Sequence, residues 1–336
     1  MKAFQLQEFG GPDALRSAAL PDPVPGPGQV LIRVRAVSLN FRDLLMSRGI
    51  YDPKLKLPAI PVSDGAGEVV ATGAGVSRYK PGDRVAACFM PEWVDGPPDD
   101  EKARSALGGG GVGMLAELAV LPEHGLVSIP SHLSIEEAAT LPCAGVTAWN
   151  ALVESGGIKP GDTVLVQGTG GVSLFALQLA RLAGARVIAT SSSDQKLARA
   201  LELGATDGIN YKTTADWDKR ARELTAGKGV DKIVEVGGAG TLPRSMRAIR
   251  TGGYIALIGV LSGVSAEVNP MPILMKNIRV QGIFVGSRAM FEAMNRAITI
   301  SQLHPIIDRV FDFDEAPQAL KYLESGAHFG KVVIHV

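Results

Sequence analysis

Val164-Leu165-Val166-Gln167-Gly168-Thr169-Gly170-Gly171-Val172 is the stretch on which the fold turns. The apolar run reads as the end of a buried strand and the glycines as a tight turn. From Val172 to residue 183 apolar residues recur at helical spacing. Gly168 permits the turn. Gly170 leaves no Cβ between the backbone and a pyrophosphate, and the first N–H groups of the helix meet phosphate oxygens at the positive end of the helix dipole. Gly168, Thr169, Gly170, Gly171 and Val172 are therefore candidate phosphate-binding residues. The third glycine of the usual G-x-G-x-x-G is replaced by Ser173, which is still small enough for helix to pack on strand.

Downstream the rhythm of strand and helix continues. Strands are predicted at residues 186–190, 232–236 and 254–258, with a helix over 194–203. The alternation predicts an α/β unit with a parallel, doubly wound sheet of Rossmann type. The end of its second strand bears on the cofactor. An acid there would bind the ribose 2′-OH of NAD. Instead the chain reads Ala189-Thr190-Ser191-Ser192-Ser193, with no carboxylate before Asp194 and a cation at Lys196. Ser191, Ser192 and Lys196 suit a 2′-phosphate, which favours NADP(H); an ordinary serine helix cap beside an exposed lysine is the competing reading.

Upstream, the first 127 residues are rich in glycine and proline, with short β-type runs at 30–37, 67–71 and 84–88. Turn clusters such as Lys80-Pro81-Gly82-Asp83 separate them, which predicts a compact antiparallel β domain. Residues 91–113, with the run Gly108-Gly109-Gly110-Gly111, are predicted to be a long surface loop, a lid or disordered. The tail is predicted as helices at 289–300 and 316–324 and a strand at 331–336.

The bulk numbers exclude several classes. A chain of 336 residues carries 34 Lys+Arg against 34 Asp+Glu, so nothing draws it electrostatically to nucleic acid or an acidic membrane. No apolar run approaches the roughly 20 residues of a membrane span, and Met1-Lys2-Ala3-Phe4 opens unlike a secretory leader. Two cysteines, Cys88 and Cys143, are too few for a disulfide framework, so a reducing, cytoplasmic setting is expected.

Several separated motifs then resemble the medium-chain dehydrogenase/reductase superfamily over essentially the whole chain. They are Val37-Ser38-Leu39-Asn40-Phe41-Arg42-Asp43, Gly65-Ala66-Gly67-Glu68-Val69, Lys80-Pro81-Gly82-Asp83-Arg84-Val85, Leu141-Pro142-Cys143-Ala144-Gly145-Val146-Thr147-Ala148-Trp149 and Gly330-Lys331-Val332-Val333. The zinc-free, quinone-oxidoreductase-like branch is the most similar. The resemblance implies a GroES-like catalytic domain over 1–127 and 287–336, interrupted by a Rossmann domain over 128–286. Zinc-dependent members carry a cysteine where Asn40 stands and His-Glu where Ser63-Asp64 stands, leaving Cys143 as the one retained ligand. No zinc is therefore expected.

The same resemblance points to Asn40, Tyr51 and Asp64 as candidate catalytic residues, with the Tyr51 hydroxyl facing the substrate and Asn40 hydrogen-bonding a nicotinamide ribose or a substrate oxygen. A plain turn role for Asn40 and a surface-loop role for Tyr51 stay open. Asp43, and less firmly Asp64, are expected to be structural, with Asp43 in an ion pair to a neighbour such as Arg42. For the cofactor the resemblance adds Tyr211 near the adenosine end, Gly259, and the segment Phe284, Val285, Gly286 with Arg288 as a phosphate contact. It implies an NADPH-dependent reductase of quinones, enones or related carbonyls. NADP-dependent oxidation of secondary alcohols and a non-enzymatic NADPH-binding role are the alternatives. A homodimer formed through an apolar edge strand at 278–284 is also expected, since an unpaired edge of that kind invites association.

Overall fold

The computed structural model of the chain describes residues 1–336 apart from Val264 and Ala266. The chain divides into two compact units, Met1–Val146 with Val285–Val336, and Thr147–Phe284. Residues 128–146 thus group with the first unit. The reason is local: a short strand ends at Ser128, and the helix Ile135–Ala139 packs on four strands of the first unit's sheet.

The first unit opens with β1 (Lys2–Leu6) paired antiparallel to β2 (Leu15–Ala19). Its main sheet uses β3 (Gln29–Leu39), β4 (Asp64–Thr72), β5 (Arg84–Ala87), β6 (Leu118–Pro122) and β7 (Leu126–Ser128). Alternation sets the faces of β3: Val30, Ile32 and Val34 enter the core while Arg33 points to solvent. Residues 91–113 are not the loose surface loop expected from their composition. Trp93 and Leu107 are buried, Asp100–Arg104 forms a helix, and a Cβ on Gly113 would lie 1.8 Å from the Ile60 carbonyl oxygen. The stretch is pinned against the strand connection that leads into β4.

The second unit is a six-stranded, all-parallel sheet of β8 (Thr163–Gln167), β9 (Arg186–Ser191), β10 (Asp207–Asn210), β11 (Val230–Glu235), β12 (Ile249–Leu257) and β13 (Arg279–Gly282). Its order is β10-β9-β8-β11-β12-β13, so the winding reverses between β8 and β11. That is the Rossmann arrangement, in which ligands bind beyond the carboxyl ends of the strands at the reversal. All six residues of β11 are buried, as expected of a strand covered on two faces. The expected apolar edge at 278–284 shortens to β13, whose Arg279 and Gln281 are exposed while Ile278 and Ile283 on either side are buried.

The chain then returns to the first unit, where β14 (Ile307–Asp312) and β15 (Lys331–His335) complete the sheet in the order β14-β15-β3-β4-β5-β7. The fold class is α/β, a GroES-like β-rich domain and a Rossmann doubly wound parallel sheet. Among the described residues no helix is long and apolar enough to cross a membrane.

Candidate active site

The phosphate turn is built from the end of β8. Gly168 has φ +71°, a left-handed conformation that favours glycine, and its N–H donates to Thr190 Oγ1 at 3.3 Å, tying the turn to β9. Thr169 is buried beside it. The helix Gly171–Leu182 follows, with Gly170 as its cap. A Cβ added at Gly170 would meet no protein atom within 4 Å, so the space over the first N–H groups of Gly171 and Val172 is open to a ligand's phosphate. Ser173, in the third glycine's place, donates from Oγ to the Gln167 carbonyl at 2.6 Å and fastens the helix to its strand.

The floor at the winding reversal is polar, and sequence reading missed it. Glu235 ends β11 wholly buried. Its Oε1 accepts from the N–H groups of Gly237 (2.9 Å) and Gly238 (3.0 Å) and from Thr241 Oγ1 (2.5 Å). Its Oε2 accepts from Gln167 Nε2 at 2.6 Å and from Ser245 Oγ. The signal was present: an acid that closes a buried strand two residues ahead of Gly237-Gly238 needs donors. Gly259, at the end of β12, has no room for a side chain, since a Cβ there would lie 2.3 Å from the Val236 carbonyl oxygen.

At the end of β9, Ser191 is buried; its Oγ accepts from Ser193 N–H at 3.3 Å and its carbonyl accepts from Tyr211 N–H at 3.0 Å. The helix Asp194–Glu202 is capped by Ser193, whose Oγ accepts from Lys196 N–H, and not by Ser191 or Ser192. Ser191, Ser192, Lys196 and the exposed Tyr211 therefore gather at the carboxyl ends of β9 and β10. Asp194, the first acid after β9, accepts from Asn210 Nδ2 at 2.8 Å.

The first unit carries a second polar cluster, where β3 runs into the helix Phe41–Ser47. Asn40 caps that helix and its N–H donates to Asp43 Oδ2 at 2.7 Å. Asp43 is buried, its Oδ1 has no hydrogen-bond partner, and burial pushes its carboxyl up to about 6 against the pull of Arg42. The ion pair expected between Asp43 and Arg42 does not form. Arg42 donates to the Leu107 carbonyl at 2.8 Å, and its guanidinium lies 5.1 Å from the Tyr51 ring centre and 4.9 Å from that of Phe89. The short side chain of Asp43 is used up in capping its own helix, while Arg42 points to the 91–113 segment.

Asp64, wholly buried at the start of β4, accepts from Ser63 Oγ at 2.9 Å and from Cys143 N–H at 3.1 Å. Burial raises its proton affinity and the Lys331 ammonium opposes that rise. Lys331 opens β15 at 3% exposure, and its Nζ donates to the Leu39 carbonyl at 2.7 Å and to Asn40 Oδ1 at 2.6 Å. Asn40, Asp43, Asp64, Cys143 and Lys331 thus come together; Tyr51 is exposed, stacked on Arg42 at the margin. A tetrahedral zinc site needs three ligands from nitrogen, sulfur and carboxylate donors. This cluster offers an amide, a hydroxyl, one thiol pushed up by burial, an ammonium and two carboxylates, of which Asp43 is engaged by the Asn40 N–H and Asp64 by Ser63 and Cys143; among the described residues no three ligands gather, and the donor set does not fit.

The remaining cofactor candidates divide. Phe284 is exposed at the end of the second unit. Val285, at φ +55°, and Gly286 lead into the helix Arg288–Ser301, capped by Ser287. Arg288 donates to the His124 carbonyl at 3.1 Å and lies 3.4 Å from Glu292, so its guanidinium is engaged within the first unit.

Residues 26–131 match the alcohol dehydrogenase GroES-like domain, and residues 171–299 the zinc-binding dehydrogenase domain. A zinc-type alcohol dehydrogenase-like protein of Schizosaccharomyces pombe is 47% identical, covering 92% of this chain and 91% of its own. A solved NAD-dependent alcohol dehydrogenase superposes with a TM-score of 0.92 at 38% identity, covering both chains fully. The Escherichia coli quinone oxidoreductase complexed with NADPH superposes at 0.86 with 25% identity, again over both whole chains. The chain is an oxidoreductase and belongs to the medium-chain dehydrogenase/reductase superfamily.

Proposed function

We propose that this chain is an NADPH-dependent, zinc-independent oxidoreductase that reduces quinones, enones or related carbonyls. The observation that carries the reading is the glycine turn at the winding reversal, with left-handed Gly168 and the open space at Gly170 over the helix N-terminus. The nicotinamide dinucleotide, when bound, supplies the hydride. Gly168, Thr169, Gly170, Gly171 and Val172 hold its pyrophosphate, Ser191, Ser192 and Lys196 its 2′-phosphate, and Tyr211 flanks the adenosine. Gly259, Phe284, Val285 and Gly286 line the nicotinamide. Arg288 is left out, because its guanidinium is engaged elsewhere.

A simple alcohol needs help to lose its proton, and a Lewis acid is the usual help. The unsuited donor set around Asn40 and Asp64 therefore supports a conjugated acceptor, in which charge spreads through the π system. Asn40 and Tyr51 serve as donors to the developing oxyanion, and Asp64 holds the cluster's charge in place. A cytoplasmic setting belongs to the same proposal, supported by the unpaired thiols of Cys88 and Cys143. The NAD-dependent alcohol dehydrogenase structure supports a second reading, secondary alcohol oxidation. Oxidation of NADPH by a panel of quinones and enones, beside reduction of NADP by secondary alcohols, separates the two. Turnover with alcohols alone overturns the first.

A further inference from the structure

We infer that Lys331 is a positioning residue: its buried ammonium fixes the orientation of the Asn40 amide and supplies the counter-charge for Asp64. Its importance for turnover rests on the functional reading above; the charge coupling itself does not. An ammonium has only N–H donors, so the amide oxygen of Asn40 must face Lys331, and the amide NH2 is turned the other way. That fixes which end of Asn40 the site presents. Nδ2 is buried and reaches no hydrogen-bond partner at ordinary geometry, although the amide lies close enough to Asp64 to lower its proton affinity. Lys331 Nζ, itself anchored on the Leu39 carbonyl at 2.7 Å, holds Asn40 Oδ1 at 2.6 Å, and the far end of the amide is thereby turned toward Asp64.

The charges make the same case. Lys331 and Asp64 are each buried, and a lone buried charge is costly unless an opposite one is near. Neither has a direct ion pair among the described residues, yet each is satisfied: Lys331 by two oxygens, Asp64 by Ser63 and Cys143. Asn40 touches Lys331 through its oxygen and borders Asp64, so the amide dipole spans the two charges. Lys331 is the foremost cation lowering the proton affinity of Asp64. A lysine that merely stapled β15 to β3 would need the Leu39 carbonyl alone.

The test is a double-mutant cycle of Lys331→Met and Asp64→Asn, read by thermal unfolding, NADPH fluorescence titration and quinone kinetics. Lys331→Met should lower the melting temperature by about 5 °C or more. Adding Asp64→Asn should recover a large part of that loss, because the stranded charge is gone. In Lys331→Met, kcat should fall roughly tenfold or more as Asn40 is released, with NADPH affinity within about twofold. If Lys331→Met is insoluble, soluble protein in the double variant is the same result, and its failure overturns the inference. Additive melting losses overturn the charge coupling, and an unchanged kcat overturns the positioning role. A wild-type chain inert toward every acceptor sinks the functional reading alone, since the melting cycle still judges Lys331.

Discussion

Gln167 and Glu235, the last residues of neighbouring parallel strands, are joined by a 2.6 Å hydrogen bond across the point where the winding reverses. Removing the carboxylate strands Gln167 Nε2, Ser245 Oγ and the Gly238 N–H without their acceptor and leaves the Gly237 N–H only Gln167 Oε1 at 3.2 Å. Glu235→Ala should therefore cost about 3 kcal/mol or more, while Glu235→Gln, which keeps one acceptor, should cost less. Urea unfolding of both variants checks the order; equal, small losses would mean the loop after β11 holds itself.

Cofactor choice is tested at the end of β9. A charge-assisted bond to a 2′-phosphate contributes roughly 1.5–3 kcal/mol, so NADPH should bind about tenfold or more tightly than NADH. Lys196→Ala should erase much of that gap by weakening NADPH alone. Fluorescence titration of both cofactors into both proteins decides it, and an equal loss for both would show that Lys196 does not read the phosphate.

The purified protein should hold no stoichiometric zinc and should keep its activity in chelator, because Asn40, Ser63 and Lys331 occupy the surroundings of Cys143 and Asp64. Elemental analysis returning one zinc per chain would refute this.

Asp43 predicts a pH effect with a definite sign. Its folded pKa, about 6, lies above the ordinary 3.8, so its contribution is fully present below about 3.8 and is lost as pH rises through 6. The swing is roughly 3 kcal/mol. Asp43→Asn keeps an oxygen for the Asn40 N–H but cannot titrate. Its stability relative to wild type should therefore climb between about pH 4 and 6.5 and then level off. A constant difference across urea melts in that range would place the titration elsewhere.

Assembly is the last expectation. β13 is the outer strand of the parallel sheet, and beside it the helix Met271–Met275 exposes Leu274 at 73% and Met275 at 74%. A homodimer that pairs two such edges would cover both. Light scattering at micromolar concentration should return twice the 35.2 kDa chain mass; a monomer mass counts against it.

What was legible in the sequence follows from range. The turn at Gly168, its helix and the strand rhythm are local, and they lie where the spacing predicts. Lys331 is different. It meets Asn40 across 291 residues, and the motif Gly330-Lys331-Val332-Val333 says nothing of what its side chain touches. Glu235 was overlooked because its partners come from the end of another strand and the loop beyond its own. Residues 91–113 misled by composition: glycine and proline suggest looseness, but Trp93 and Leu107 are anchors, and Gly108 and Gly113 let backbones touch.

The position of β15 bears on how the protein is made. Lys331–His335 are inserted between β14 and β3, within the sheet and not at its rim. The second unit is one unbroken segment, Thr147–Phe284, and holds everything its sheet requires as soon as it leaves the ribosome. The first unit waits. Until Lys331–His335 are translated, β3 lacks its second neighbour along Ala36–Leu39 and Asn40 lacks its lysine. A nascent chain stalled before Gly330 would thus carry a finished second unit and an unfinished first one, with the edge of β3 along Ala36–Leu39 bare for chaperones to guard.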